Sequence, residues 1–163
     1  MDNILIFTQN RKTALKLSRV IDKNLTDNSR QIIAFTDPVE FLSCAMEEPG
    51  VSGCFIDVDS RACNDLRLIK LIKKINDRIC IVFMSESGRY AVEAFDLEIT
   101  DYLKIPTEEE KVAEAVRKLE NAGKRQESRS IYIRTFGTFE VIKGGTKLPW
   151  KNSKPKGTLR FSR

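Results

Sequence analysis

Apolar and polar positions along the first 120 residues fall into blocks of two kinds. The first kind is a short, nearly continuous apolar run, which is the pattern of a buried strand. Five such runs occur, at Ile4–Phe7, Ile32–Phe35, Gly53–Val58, Ile79–Met84 and Thr100–Leu103. The second kind repeats apolar residues every three or four positions, which is the pattern of an amphipathic helix.

Five helical segments are predicted between and after these runs. They cover Arg11–Lys23, a segment that opens at Pro38, Leu66–Ile72, Tyr90–Phe95 and a segment that Thr107 caps. Regular alternation of strands and helices is typical of parallel βαβ units. The sequence therefore predicts an α/β fold with a doubly wound, five-stranded parallel sheet.

Polar residues at the carboxyl ends of the predicted strands are the candidates for function, because sites in such sheets collect at that edge. They are Thr8, Gln9, Asn10, Asp57, Asp59, Ser85 and Lys104. Asp57 is the most informative, because a carboxylate closes an otherwise apolar run. Two interpretations of Asp57 stay open from spacing alone: a chemical role, or a cap of the following turn.

The C-terminal part of the chain has a different pattern. Residues 122–130 lose their apolar positions and are predicted to be a linker. The next segments, Ile131–Thr135 and Phe139–Ile142, alternate with period two and predict an antiparallel hairpin, followed by a turn at Gly144–Gly145. After Trp150 no helix or strand is predicted, and residues 131–163 are expected to be partly disordered.

The net charge of the chain also changes at residue 131. Residues 131–163 hold eight Lys or Arg and one acid, a net charge of +7, whereas residues 1–130 hold 20 basic and 22 acidic residues, a net charge of −2. A basic surface favours nucleic acid or an anionic membrane as partner. Only the last fifth of this chain carries that signal.

Composition excludes several kinds of chemistry. The chain has no histidine, so it contains no Ser-His-Asp triad and no His-ligated metal site. The four cysteines lack a Cys-x-x-Cys spacing and predict no disulfide framework, which fits a reducing cytoplasm. We find no signal-peptide pattern and no apolar run near the ~18 residues of a membrane span, so a cytoplasmic location without membrane contact is expected.

Residues 2–124 resemble the receiver domain of bacterial two-component response regulators. The resemblance rests on Phe55–Val58, on Tyr90–Phe95 and on Asp101–Pro106. It implies a flavodoxin-like strand order of 2-1-3-4-5 over a domain spanning residues 1–121. It further implies that Asp57 accepts a phosphoryl group from a sensor histidine kinase, that the Ser85 hydroxyl binds that group, and that Tyr102 is the switch aromatic. The resemblance also implies that a homodimer of this chain would form through the face of helix four, strand five and helix five.

The sequence departs from the receiver pattern at two positions. Thr8, Gln9 and Asn10 stand where receivers have paired acids for Mg²⁺, and Ile105 stands where they have a lysine. Asp57 and Asp59 remain as weak Mg²⁺ candidates, since Mg²⁺ prefers several hard anionic oxygens. We expect weak Mg²⁺ binding and slow or absent phosphorylation. The resemblance also predicts a cis bond at Ile105–Pro106.

Residues 131–150 resemble the opening strands of the winged-helix output domain of OmpR-type transcriptional activators. The features are Phe136-Gly137 with Phe139–Val141, a glycine turn, and Leu148 and Trp150 followed by spaced lysines. The family's recognition helix would follow, but the pattern stops after Lys156. We therefore expect a truncated output domain, with DNA binding only for an intact parent.

Two functions stay open. The first is a response regulator in which Asp57 is phosphorylated to control transcription; the second is a phosphorylation-independent pseudo-receiver that dimerises or docks a partner. An enzyme is not predicted, because no glycine-rich phosphate loop follows the first strand.

Overall fold

The computed structural model divides the chain into two compact units, Met1–Glu120 and Asn121–Arg163. It describes residues 2–63, 66–129, 131–136, 138–143, 146–148 and 159–161, with side chains described up to Arg125. The two units are taken separately below.

A five-stranded parallel sheet forms the centre of the first unit. Its strands are β1 (Asn3–Phe7), β2 (Gln31–Phe35), β3 (Val51–Asp57), β4 (Cys80–Ser85) and β5 (Asp101–Lys104). They lie in the order β2-β1-β3-β4-β5, with every neighbouring pair parallel. The α/β fold, the strand order and the five strands predicted from the apolar runs are all confirmed.

Five helices connect or follow these strands. They are α1 (Arg11–Asn24), α2 (Pro38–Glu47), α3 (Arg67–Ile75), α4 (Ala91–Asp96) and α5 (Glu109–Arg129), and a short 3-10 turn covers Arg61–Cys63. Two of the starts are fixed by side-chain caps. The Asp37 carboxylate accepts the N–H groups of Val39 and Glu40, and the Asn10 amide oxygen accepts those of Lys12 and Thr13.

The end of α5 corrects one prediction. Residues 122–130 were expected to form a linker because they lack apolar side chains, yet the helix continues through Arg129. Residues such as Lys, Arg, Gln and Glu dominate this stretch and have high helix propensity. A polar composition therefore marks an exposed helix end here rather than an irregular connection.

Apolar packing holds the sheet between its helices. One buried cluster joins alternate residues of β1, β3 and β4, among them Phe7, Ile56 and Phe83, to Phe41 of α2 and Ile69 of α3. Residues of one strand that point the opposite way contact other helices, because successive strand side chains face opposite sides. Gly53 of β3 thus lies directly beneath Leu119 of α5.

The second unit contains a small antiparallel sheet. Its strands are β6 (Ile131–Phe136), β7 (Thr138–Lys143), β8 (Thr146–Leu148) and β9 (Leu159–Phe161), in the order β8-β7-β6-β9. The predicted hairpin is confirmed. The expectation of no strand after Trp150 is wrong, since β9 pairs with β6. The predicted glycine turn, Trp150 and most of the expected disordered tail lie outside the described residues.

Within the described part of the chain, no helix combines the length and apolarity that a membrane crossing requires.

Candidate functional site

A polar cleft opens at the carboxyl edge of the parallel sheet, where β1, β3 and β4 end. It is lined by Gln9, Asn10, Arg11, Lys12, Thr13, Asp57, Asp59, Ser60, Glu86 and Ile105. Three of the predicted site residues, Asp57, Asp59 and Ser85, are brought together here from the ends of β3 and β4. The parallel register sets this, with Asp57 opposite Met84 and therefore one residue from the end of β4.

Asp57 is half-buried at the centre of the cleft. The fully buried hydroxyl of Thr8 donates a hydrogen bond of 3.1 Å to its Oδ2, and the backbone N–H of Asp59 donates to its Oδ1 at 3.2 Å. Burial raises the pKa of Asp57, although these two donors act against it, and the nearby charges of Asp59 and Glu86 raise it further. These two contacts hold the carboxylate in place, but neither comes from a cation that could neutralise its charge.

Asp59 is bound to the loop that follows β4. Its Oδ2 accepts the N–H of Glu86 at 2.7 Å, and its Oδ1 accepts the Ser85 hydroxyl at 2.8 Å. The Ser87 hydroxyl donates to the same Oδ1 at 3.4 Å, and the Arg89 Nε lies 3.9 Å from it. Partial burial acts to raise the pKa of Asp59, but these donors and the Arg89 charge outweigh it and hold the pKa below its ordinary value.

Ser85 is the centre of a local turn. Its oxygen accepts the N–H groups of Ser87 and Gly88, each at 3.2 Å, while its single proton is donated to Asp59. The side chain is completely buried. The hydroxyl predicted to bind a phosphoryl group on Asp57 is therefore directed at Asp59 in this structure.

The residues at the end of β1 do not form a carboxylate pair. Thr8 bonds to Asp57, and the Asn10 amide oxygen is used by the first turn of α1. Throughout residues 2–63 and 66–125, no group of three or more His, Cys, Asp or Glu side chains is placed to hold a metal ion. Because Asp59 is bound to the β4–α4 loop, it would have to leave that loop before it could join Asp57 in holding Mg²⁺.

The position before Pro106 places an apolar side chain in the cleft. Ile105 lines the cleft, its N–H donates to the Ser85 carbonyl at 2.9 Å, and the Ile105–Pro106 bond is cis, as predicted. Lys104 is exposed and is not among the lining residues, which agrees with the alternation of side chains along a strand. The cation that receivers supply from this position is thus missing from the cleft.

Tyr102 lies outside the cleft. Its ring is turned toward the sheet and packs edge-on against Phe83, with ring centroids 6.0 Å apart and an interplanar angle of 69°. The hydroxyl is buried and has no hydrogen-bond partner among the described residues. On the adjacent helix α4, Val92 and Phe95 are 71% and 85% exposed.

Solved structures of response regulator domains have folds similar to that of this chain. The chain superposes on the response regulatory domain of protein mrkE from Klebsiella pneumoniae with a TM-score of 0.67 and 25% identity, covering 76% of this chain and 99% of that one. The REC domain of AraT, a response regulator from Geobacillus stearothermophilus, gives a TM-score of 0.61 at 21% identity, covering 73% and 92%. The first unit has the fold of a receiver domain.

Curated sequences also include regulatory proteins that are similar to part of this chain. The sensory transduction protein LytR of Staphylococcus saprophyticus is 35% identical over 68 residues, which are 42% of this chain and 27% of that protein. The transcriptional regulatory protein YpdB of Escherichia coli is 29% identical over 96 residues, 59% and 39% respectively. The chain thus matches less than half the length of these relatives. No protein-family model matches the chain.

Two features of the first unit were not predicted from the sequence. One is the Thr8 hydrogen bond to Asp57, which joins residues 49 positions apart and leaves no local pattern. The other is the role of Asn10 as the cap of α1, for which a signal existed, because Asn directly before an amphipathic segment is a favoured N-cap.

Proposed function

We propose that this chain is the receiver of a two-component system in which Asp57 accepts a phosphoryl group from a sensor histidine kinase and thereby controls a transcriptional output. The observation that carries the proposal is the Asp57 carboxylate, positioned by Thr8 at the open carboxyl edge of a receiver sheet. The chain acts as the acceptor in this reaction rather than as an enzyme, and we expect it to do so in the cytoplasm.

In the proposed transfer, a carboxylate oxygen of Asp57 attacks phosphorus and forms a mixed anhydride. The phosphorus–nitrogen bond to the kinase histidine breaks, and the imidazole nitrogen keeps the electron pair and takes up a proton. Such a transfer depends on positioning and on neutralising the negative charge of the phosphoryl oxygens. Ser85 would bind one of these oxygens, and Tyr102 would transmit the change to α4.

Two observations support the transcriptional part of the proposal. The relatives named above include a transcriptional regulatory protein, and residues 131–163 carry the eight basic residues counted from the sequence. We propose that residues 131–163 belong to a DNA-binding domain that follows this receiver. Contacts from lysine and arginine to phosphates would supply affinity without sequence preference.

A second candidate function is a pseudo-receiver that works without phosphoryl transfer. It is favoured by one observation: Ile105 lines the cleft at the position where receivers have a lysine, and Thr8 contacts Asp57 near where they have an acid. We propose that Mg²⁺ binds weakly, with Asp57 and Asp59 as the remaining carboxylates. The domain would then act by dimerising through α4, β5 and α5, where Val92 and Phe95 are exposed.

Intact-protein mass spectrometry separates the two candidates. The whole chain is incubated with phosphoramidate, with and without Mg²⁺, and scanned for one phosphoryl mass increment; Asp57→Ala is the control. An increment that disappears in Asp57→Ala supports the acceptor function. No increment at high donor and high Mg²⁺ leaves the pseudo-receiver, and an increment that survives in Asp57→Ala contradicts Asp57 as the acceptor.

A further inference from the structure

The loop between β4 and α4 forms a set of donors of the kind that binds an anion. A buried hydroxyl on Ser85 and a backbone N–H on Glu86 donate hydrogen bonds to one carboxylate, that of Asp59, and the Arg89 guanidinium forms an ion pair with it at 3.9 Å. Charge-assisted hydrogen bonds of this type are also the ones that hold phosphoryl oxygens. In this structure the anion they hold belongs to the chain itself.

Because the Ser85 hydroxyl has one proton, Ser85 can donate a hydrogen bond to only one acceptor at a time. A serine hydroxyl has one proton, and in this chain that proton is donated to Asp59 Oδ1 at 2.8 Å. The oxygen of Ser85 already accepts two backbone N–H groups from its own turn, and the residue has no exposed surface. Ser85 can therefore donate to an oxygen on Asp57 only after it has released Asp59.

Asp59 also connects the segments that follow β3 and β4, through its backbone on one side and its carboxylate on the other. The N–H of Asp59 donates to Asp57, whereas the side chain of Asp59 binds the start of the next loop at Glu86. The contacts of Asp59 thus join the end of β3 to the end of β4 without any bound group. Removing one partner of such charge-assisted bonds exposes the full cost of the unpaired donors.

We propose that Asp59 is an internal ligand of an anion subsite formed by Ser85, Glu86 and Arg89, which it occupies in the unphosphorylated protein and leaves when a phosphoryl group on Asp57 takes its place. This inference rests on the proposed function for the displacement step. The occupancy itself does not depend on phosphorylation, and the two parts are tested separately.

Amide hydrogen exchange tests the occupancy. In Asp59→Ala, the amide of Glu86 loses its acceptor and should exchange on the order of tenfold faster or more than in the unmodified chain. Glu86→Gln is the matched control, because it removes one negative charge from the same cleft but leaves the backbone N–H and its acceptor in place. Unchanged exchange of the Glu86 amide in Asp59→Ala overturns the proposal, and Asp59→Leu, which also lacks an acceptor, replaces that variant if it fails to fold.

Phosphorylation kinetics test the displacement. With phosphoramidate as donor, Asp59→Asn should raise the initial rate of mass increment on Asp57 several-fold over the unmodified chain. An equal increase in Glu86→Gln assigns the effect to cleft charge alone and overturns the displacement. If no variant acquires a phosphoryl group, Asp57 is not an acceptor and the proposed function fails, while the exchange measurement still decides whether Asp59 is the internal ligand.

Discussion

The hydroxyl of Thr8 at the end of β1 donates a hydrogen bond of 3.1 Å to Oδ2 of Asp57 at the end of β3. Receivers place acids near this position to hold Mg²⁺, whereas here a neutral donor contacts the Asp57 carboxylate directly. The contact fixes the orientation of Asp57 and favours its charged form. It therefore affects both the electrostatics and the stability of the cleft.

Thr8→Val is expected to raise the pKa of Asp57 further, because the donor that opposes the burial effect is lost. The free energy of unfolding should fall by about 1–2 kcal/mol, since a half-buried carboxylate loses a partner. Carboxyl ¹³C NMR titration measures the pKa, and urea denaturation measures the stability. Thr8→Ser keeps the hydroxyl and serves as control; a pKa equal to that of the unmodified chain in Thr8→Val would contradict the role of the contact.

Asp57→Asn is expected to stabilise the domain near neutral pH but not in acid. Burial raises the folded-state pKa of Asp57 above 3.8, so the ionised group disfavours folding once the pH exceeds the folded pKa. Below 3.8 the carboxyl is protonated in both states and the difference disappears. Thermal unfolding of both proteins at neutral pH and at about pH 3 checks this. A gain that persists unchanged in acid would argue against the burial effect.

Gly53→Ala is expected to lower the free energy of unfolding by about 1–3 kcal/mol, because its Cβ would overlap Cδ1 of Leu119. Gly123→Ala is the matched control, since nothing lies within 4 Å of its Cβ position in α5. That change should stabilise the chain by about 0.5–1 kcal/mol, because Ala favours a helix interior. Chemical denaturation of both variants is the measurement, and effects of equal sign would contradict the packing described here.

Tyr102→Phe is expected to leave stability unchanged or to raise it by up to about 1 kcal/mol. Its hydroxyl is buried and has no partner among the described residues, so removing the oxygen removes an unsatisfied polar group. Urea denaturation measures the effect. A loss above about 1 kcal/mol would mean that the hydroxyl is hydrogen-bonded in solution.

Phe95→Glu is expected to weaken self-association if α4 contributes to a dimer. Phe95 is 85% exposed, and such a large apolar side chain in contact with water favours burial against a partner. Sedimentation velocity over a range of concentrations gives the dissociation constant. Leu15→Glu on α1, another exposed apolar position, is the control, and a dimer weakened equally by both changes would not lie on α4.

Much of the receiver fold follows from local pattern. The apolar runs at Ile4–Phe7 and Ile79–Met84 each became a strand, because a short buried run suits a strand covered on both sides. The polar end of α5 was missed, because low apolar content is shared by a linker and an exposed helix. The strand at Leu159–Phe161 was missed, because three residues carry too little periodicity to predict pairing with β6.

The candidate site was likewise predictable from the sequence only in part. The order of residues along the chain is enough to identify the side chains at the ends of the strands: Asp57, Ser85, and Ile105 in place of a lysine. The folded structure was needed to show that Ser85 donates to Asp59, 26 positions away, and that Thr8 donates to Asp57, 49 positions away. Such partners depend on strand order and register, which bring distant residues within about 3 Å, the length of a hydrogen bond. No local pattern of hydrophobic and polar positions records that choice.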